Sequence, residues 1–247
     1  MSAAGGSEST VDRGDAMRID IWSDVVCPWC AIGKAHLAEA LGSFDHADEV
    51  VIRWHSFELD PSAPAVRTGN YAGMIARKYG MDTEQAQAMV DQMTARGEAV
   101  GVDFRFDRVQ PGNTFDAHRV IHLGSLRGIQ TEVKSRMLKG YLADGEAIGL
   151  PEVVHRLGVE AGLDPDEVTA VLETDAFADD VRADELLASQ LQITGVPFFV
   201  FDGRLAVAGA QPPEVLLEVL QRAWSEREPE LEVIAEGEIC GPEGCEI

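Results

Sequence analysis

Cys27-Pro28-Trp29-Cys30 sets two thiols three residues apart. A thiol attacks only as the thiolate, and an unperturbed cysteine ionises near ~8.5. The run Ile19-Asp20-Ile21-Trp22 reads as a strand that ends just before Cys27. Beyond the pair, Ile32, Ala35, Leu37, Ala38 and Leu41 recur at helical spacing. The cysteines therefore stand at a strand-to-helix junction, with Cys27 at the helix N-terminus. Unpaired backbone N–H groups and a partial positive charge there favour an anion, so a Cys27 thiol ionising below its ordinary range is expected. Pro28 suits the first turn, where its missing N–H would have had no helical partner. Cys30, one turn on, can close a disulfide with Cys27 without unwinding the helix. In thiol–disulfide exchange, Cys27 would attack and Cys30 would resolve the mixed disulfide. Trp29 adds apolar area and no charge. The competing reading of the spacing is half of a zinc site, which needs four ligands. The strand–C-x-x-C–helix context weighs against it.

A second constellation is Thr194-Gly195-Val196-Pro197, where the proline opens the apolar run Phe198-Phe199-Val200-Phe201. Proline is tolerated in a sheet chiefly at a strand's first residue or edge. A cis Val196–Pro197 bond would expose the Val196 backbone to an extended substrate. A third is Cys240-Gly241-Pro242-Glu243-Gly244-Cys245, a turn-forming segment whose sulfurs can approach each other. Three uses are open for it: exchange with the first pair, a passive disulfide, or capture of a soft metal. His118 and His122 lie four apart on one helical face, a spacing that fits packing better than a ligand pair. His55-Ser56 and His36 receive no role and are read as possible solvent-facing groups. Asp24 and Glu58 are candidates for a carboxylate that takes the Cys30 proton. The exchange chemistry itself calls for no cofactor and no metal.

Strands 50–54 and 197–201, the strand 205–208 joined to the latter through an Asp202-Gly203 turn, and helix 212–224 complete two β-rich blocks. Between them the chain is almost wholly helical from about 70 to 192, with candidate helices at 71–79, 83–100, 114–127, 131–142, 151–161, 166–173 and 177–192. The first block has too few strands for its own core, so a single α/β domain with a large helical insertion is expected over 17–228. Residues 1–16, rich in Gly, Ser, Ala and acids, read as a disordered leader without the apolar stretch of a signal peptide. Residues 229–247 form a tail carrying the second cysteine pair.

The sequence carries 43 acidic against 20 basic residues, a net charge of -23, which disfavours nucleic acid as a partner. No apolar run is long enough for a membrane helix. Four cysteines in two close pairs are too few for a secreted disulfide scaffold and point to a reducing, cytoplasmic setting. Nothing in the sequence fixes an oligomeric state.

Four ordered blocks resemble the thioredoxin superfamily, within it the DsbA family, and within that its FrnE-like branch: 19–30, Asn113-Thr114-Phe115-Asp116-Ala117-His118-Arg119, 195–201 and Gly209-Ala210-Gln211. The resemblance implies a thioredoxin-like fold with a helical insertion and dithiol–disulfide exchange on protein or low-molecular-weight disulfides. It implies Cys27 and Cys30 as the redox pair, Pro197 as the cis-proline beside Val196, and Cys240/Cys245 as a second pair. Trp29 stands where the branch's type member carries His. Glutathione-dependent isomerases of the 2-hydroxychromene-2-carboxylate type and kappa-class transferases resemble the chain near Asn113 and Val196-Pro197. They use a single nucleophilic or Ser-type centre, and the resolving Cys30 argues against that reading. A four-thiol metal-binding stress protein is the remaining alternative.

Overall fold

The computed structural model describes residues 16–67 and 69–227. The leader and the tail with Cys240/Cys245 lie outside the described residues. Four strands form one sheet of order β2-β1-β3-β4: β1 (Met17–Ser23), β2 (Val50–Ser56), β3 (Phe198–Phe201) and β4 (Leu205–Ala208). β1 runs parallel to β2 and antiparallel to β3, with Ile21 opposite both Trp54 and Phe199. The parallel pair needs a crossover, which α1 (Pro28–Gly42) supplies. Ile19 and Ile21 are fully buried at the centre of the sheet.

Seven helices lie between β2 and β3: α2 (Tyr71–Tyr79), α3 (Thr83–Glu98), α4 (Phe115–Leu126), α5 (Gln130–Lys139, extended by a π-turn over Gly140–Asp144), α6 (Pro151–Glu160), α7 (Pro165–Glu173) and α8 (Ala178–Gln190). α9 (Pro213–Ser225) closes the described chain and packs on α1. Local chemistry sets the boundaries. Asn70 caps α2 by accepting from the Gly73 N–H, and Gly80 ends it at φ 66. Asp82 and Gln85 form a reciprocal capping box on α3. One continuous apolar cluster runs from Ile19, Ile21 and Phe199 through Val120, Met137 and Leu157. The insertion thus shares its core with the sheet, and the fold is α/β and thioredoxin-like with a helical insertion.

The β3–β4 connection departs from the expected two-residue turn. Asp202 and Gly203 both have positive φ, and Arg204 N–H returns to the Phe201 carbonyl. The ladder, however, pairs Phe201 with Leu205, so the loop is one residue longer. Asp202 N–H is instead drawn to the Arg18 carbonyl at 2.7 Å, which ties the hairpin to β1.

Candidate active site

Cys27 is the N-cap of α1, with extended backbone, and Pro28 opens the first turn. Its Sγ accepts from the Cys30 N–H at 3.4 Å and donates to the Val196 carbonyl oxygen at 3.6 Å. The Val196–Pro197 peptide is cis. Both thiols are free and buried. Gly33 allows the proline loop to close on α1: a Cβ there would lie 2.9 Å from Pro197 Cγ and 3.2 Å from the Phe199 ring. The structure therefore brings Cys27, Cys30, Val196 and Pro197 together. Cys240 and Cys245 lie outside the described residues.

The ionisation of the pair differs from the expectation of a lone activated Cys27. The two thiols interact closely enough that their ionisations belong to the pair. Hydrogen bonding to Cys30, burial and the neighbouring charge push the Cys27 thiol well above its ordinary range. Burial also works against Cys30, but Cys27, the nearby Ser23 hydroxyl and the charge of Lys134 bring it below that range. The charge of Lys134 favours a thiolate on the pair as a whole.

The cation escaped the sequence reading. Lys134 of α5 is buried, donates from Nζ to the Ser23 carbonyl oxygen at 3.0 Å, and stacks over the Trp54 ring. Burial lowers it to about 8, while Cys30, Asp24 and Cys27 oppose that shift. Its signal was present: Lys134 falls on the buried stripe Gln130, Val133, Met137, Leu138, where a lysine is out of place. Ser23 Oγ is buried with no hydrogen-bond partner.

Asp24 lies in the same buried pocket, paired with His118 Nε2 at 3.3 Å and with the Leu59 N–H at 2.8 Å. Burial resists its ionisation, yet His118, Leu59 and Lys134 hold it below the usual carboxylate range. Glu58 sits elsewhere, against Arg182 and Asn113, and burial raises it to about 7. His122 meets Asp184 and Ser56 rather than joining His118. His36 bonds the Gln211 carbonyl at 2.8 Å. His55 is not solvent-facing: it is buried between Asp20 (2.8 Å) and Asp184 (2.5 Å) and stacks on Trp22.

Above the dithiol opens a cavity of about 990 Å³, lined by Cys27, Trp29, Tyr71, Met74, Met93 and Val196 among others. A loop wedged against Gly112 builds one wall, so close that a Cβ on Gly112 would lie 2.0 Å from the Ala65 carbonyl oxygen.

A C-x-x-C dithiol at a helix N-terminus, facing a cis-proline loop across a mixed four-stranded sheet, defines a thioredoxin-like protein of the redox type. The sequence matches the DSBA-like thioredoxin domain over residues 18–221, and the chain belongs to that family of thiol–disulfide oxidoreductases. Among solved structures it is similar to a probable DsbA oxidoreductase, SCO1869, from Streptomyces coelicolor. The two share 45% identity at a TM-score of 0.83, covering 94% of this chain and 99% of that one. It is 28% identical over 202 residues to the uncharacterized protein YwbO of Bacillus subtilis, covering 81% of this chain and 93% of that protein. The cytosolic disulfide reductase DsbM of Pseudomonas aeruginosa shares the fold at 17% identity and a TM-score of 0.59, over 84% and 98% of the two chains. Among the described residues no helix is long and apolar enough to cross a membrane.

Proposed function

We propose that the protein exchanges its Cys27/Cys30 dithiol with disulfides, of proteins or of small molecules. The observation that carries this reading is the reduced pair itself: Cys27 Sγ at the floor of an open cavity, hydrogen-bonded to the Cys30 N–H and to the Val196 carbonyl. In the reducing direction, the Cys27 thiolate attacks one sulfur of the substrate disulfide. A bond forms from Cys27 Sγ to that sulfur, the substrate S–S bond breaks, and the first thiolate leaves. The Cys30 thiolate then attacks Cys27 Sγ, and the second substrate thiolate departs. The enzyme dithiol becomes a disulfide, the substrate disulfide becomes two thiols, and solvent protonates the leaving groups. The reverse sequence oxidises a substrate dithiol.

Val196 is the backbone ledge and Pro197 its fixed turn. Lys134 supplies a charge under the pair that favours the thiolate throughout. Cys240 and Cys245 are read as a second pair that restores or draws off the electrons of the first. The test is insulin reduction by dithiothreitol with and without the protein. Faster precipitation of the insulin chains supports exchange, and no acceleration counts against it.

A further inference from the structure

The walls of the cavity carry several basic side chains in a strongly acidic chain. Arg67, Arg77 and Lys78 line it, against Asp24 and Asp60. Asp60 is neutralised by its ion pair with Arg67, and Asp24 is buried on the His118 side. Arg77 and Lys78 are exposed and have no carboxylate within ion-pair distance among the described residues, where most arginines do. Arg96 of α3 lies close by, its guanidinium 5.2 Å from the ring centroid of Trp29, which lines the cavity. In a chain of net charge -23, uncompensated bases gathered at one opening call for a reason. Acids more than ~8 Å away weaken such a group little, because charges at that separation are largely screened at physiological salt.

Shape narrows the choice further. Cys27 is 4% exposed and lies at the cavity floor. At about 990 Å³ the cavity matches sites that enclose whole small molecules, roughly 300–1,000 Å³. Met74, Met93 and Trp29 offer adaptable apolar contact to a flexible stem.

From this geometry we infer that the substrate of the Cys27 site is a low-molecular-weight disulfide bearing carboxylates, its anionic ends held by Arg77 and Lys78 and its stem against Trp29. The inference rests on the exchange reading and gives it a substrate class. Electrons balance as in that reaction, with the enzyme dithiol as reductant and one S–S bond exchanged for another.

The test mixes fully reduced protein with three disulfides of similar size. These are 3,3′-dithiodipropionate, bis(2-hydroxyethyl) disulfide and cystamine, which are anionic, neutral and cationic. The rate of Cys27–Cys30 oxidation is followed by acid quench and mass spectrometry. Each rate is divided by that of 2-mercaptoethanol with the same disulfide. The expected order is anionic, neutral, cationic, with about tenfold or more between the ends. The anionic advantage should shrink with added salt. In R77Q/K78Q the ratio of anionic to cationic rates should collapse to near unity, and in R77E/K78E it should invert. Both side chains are exposed, so these variants keep the core intact. Equal normalised rates for all three, or a ratio that survives both variants, overturns the inference while leaving exchange standing. Failure to react with any of them by protein that still accelerates insulin reduction overturns the inference and leaves exchange on protein disulfides standing; failure in both assays removes the exchange reading as well.

Discussion

Lys134 Nζ lies 3.0 Å from the Ser23 carbonyl oxygen, on the residue that ends β1 and four positions before Cys27. A helix of the insertion thereby places a buried cation under a dithiol carried by the sheet and α1. Near neutral pH the amine, lowered to about 8, is mostly charged and favours a thiolate above it. K134Q should raise the apparent pKa of the dithiol by about 1 unit, as expected when an opposite charge within a few ångströms is lost. Alkylation by iodoacetamide at pH 7 should slow by about tenfold. The pH profile of alkylation reads this directly, and an unmoved midpoint would leave Lys134 a purely structural group. Thermal melts of K134Q and K134M separate the roles, since replacing a buried charge by an apolar chain is often neutral or stabilising.

Cys27 is the outer sulfur and Cys30 the inner one, so their substitutions should differ in kind. C27S should abolish exchange and form no adduct. C30S should attack normally and accumulate a mixed disulfide on Cys27, visible by mass spectrometry under non-reducing conditions. Adducts on Cys30 in C27S, forming as fast as those on Cys27 in C30S, would reverse the two roles.

Much of this arrangement was legible in the sequence for local reasons. Pro28 after Cys27, the apolar spacing of Ile32 and Leu37, and Pro197 before a β-branched and aromatic run are short-range signals. The expected spans 71–79 and 151–161 fall close to α2 and α6 as observed. The buried charges were not legible as partners, because each pair joins segments far apart in sequence. Lys134 meets Ser23 across 111 residues and His55 meets Asp184 across 129. The anomaly could be seen on one side only, as a lysine or an aspartate on an apolar helical stripe. The charge beside the dithiol was hidden for a related reason: helix position is local, but Lys134 comes from a distant helix.

The His55 clamp gives stability a pH signature. Both ring nitrogens face carboxylates, which favours the imidazolium: burial lowers His55, but Asp184 and Asp20 raise it above its ordinary value. Asp184 and Asp20 are lowered despite burial, chiefly by the histidines and by Arg18. A raised histidine contributes fully below its unfolded value of ~6.5, and that contribution fades as pH rises through the folded value. The lowered carboxylates contribute above ~3.9 and fade as pH falls through their folded values. The clamp should therefore add most between about pH 4 and 6.5. D184N, which strands His55 and the Ser56 N–H, should cost about 3–5 kcal/mol. Urea unfolding across pH should show the difference between wild type and H55L narrowing above neutrality. A constant difference from pH 5 to 9 would mean that His55 is neutral in the fold.

α9 ends where Trp224 stacks on His46 and meets Phe44 edge-on, just past the C-terminal end of α1. Cys27 is at the other end of α1, whose 15 residues span roughly 22 Å at ~1.5 Å each. The fourteen residues from Glu226 to Ile239 can cover up to ~45 Å at ~3.3 Å each. Chain length therefore permits Cys240 and Cys245 to return to the dithiol. The tail is also acidic, with no lysine or arginine after Arg227, which suits the basic rim at Arg77 and Lys78. A tethered pair acts at an effective concentration in the millimolar range, enough to compete with dilute external thiols. C240S/C245S should then leave the first attack by Cys27 unchanged in a single-turnover assay and slow steady-state turnover severalfold. Added dithiothreitol should restore the steady-state rate, because it replaces the missing thiols. Equal steady-state rates in the double variant and wild type, at low external thiol, would show that the tail pair does not exchange with Cys27 and Cys30.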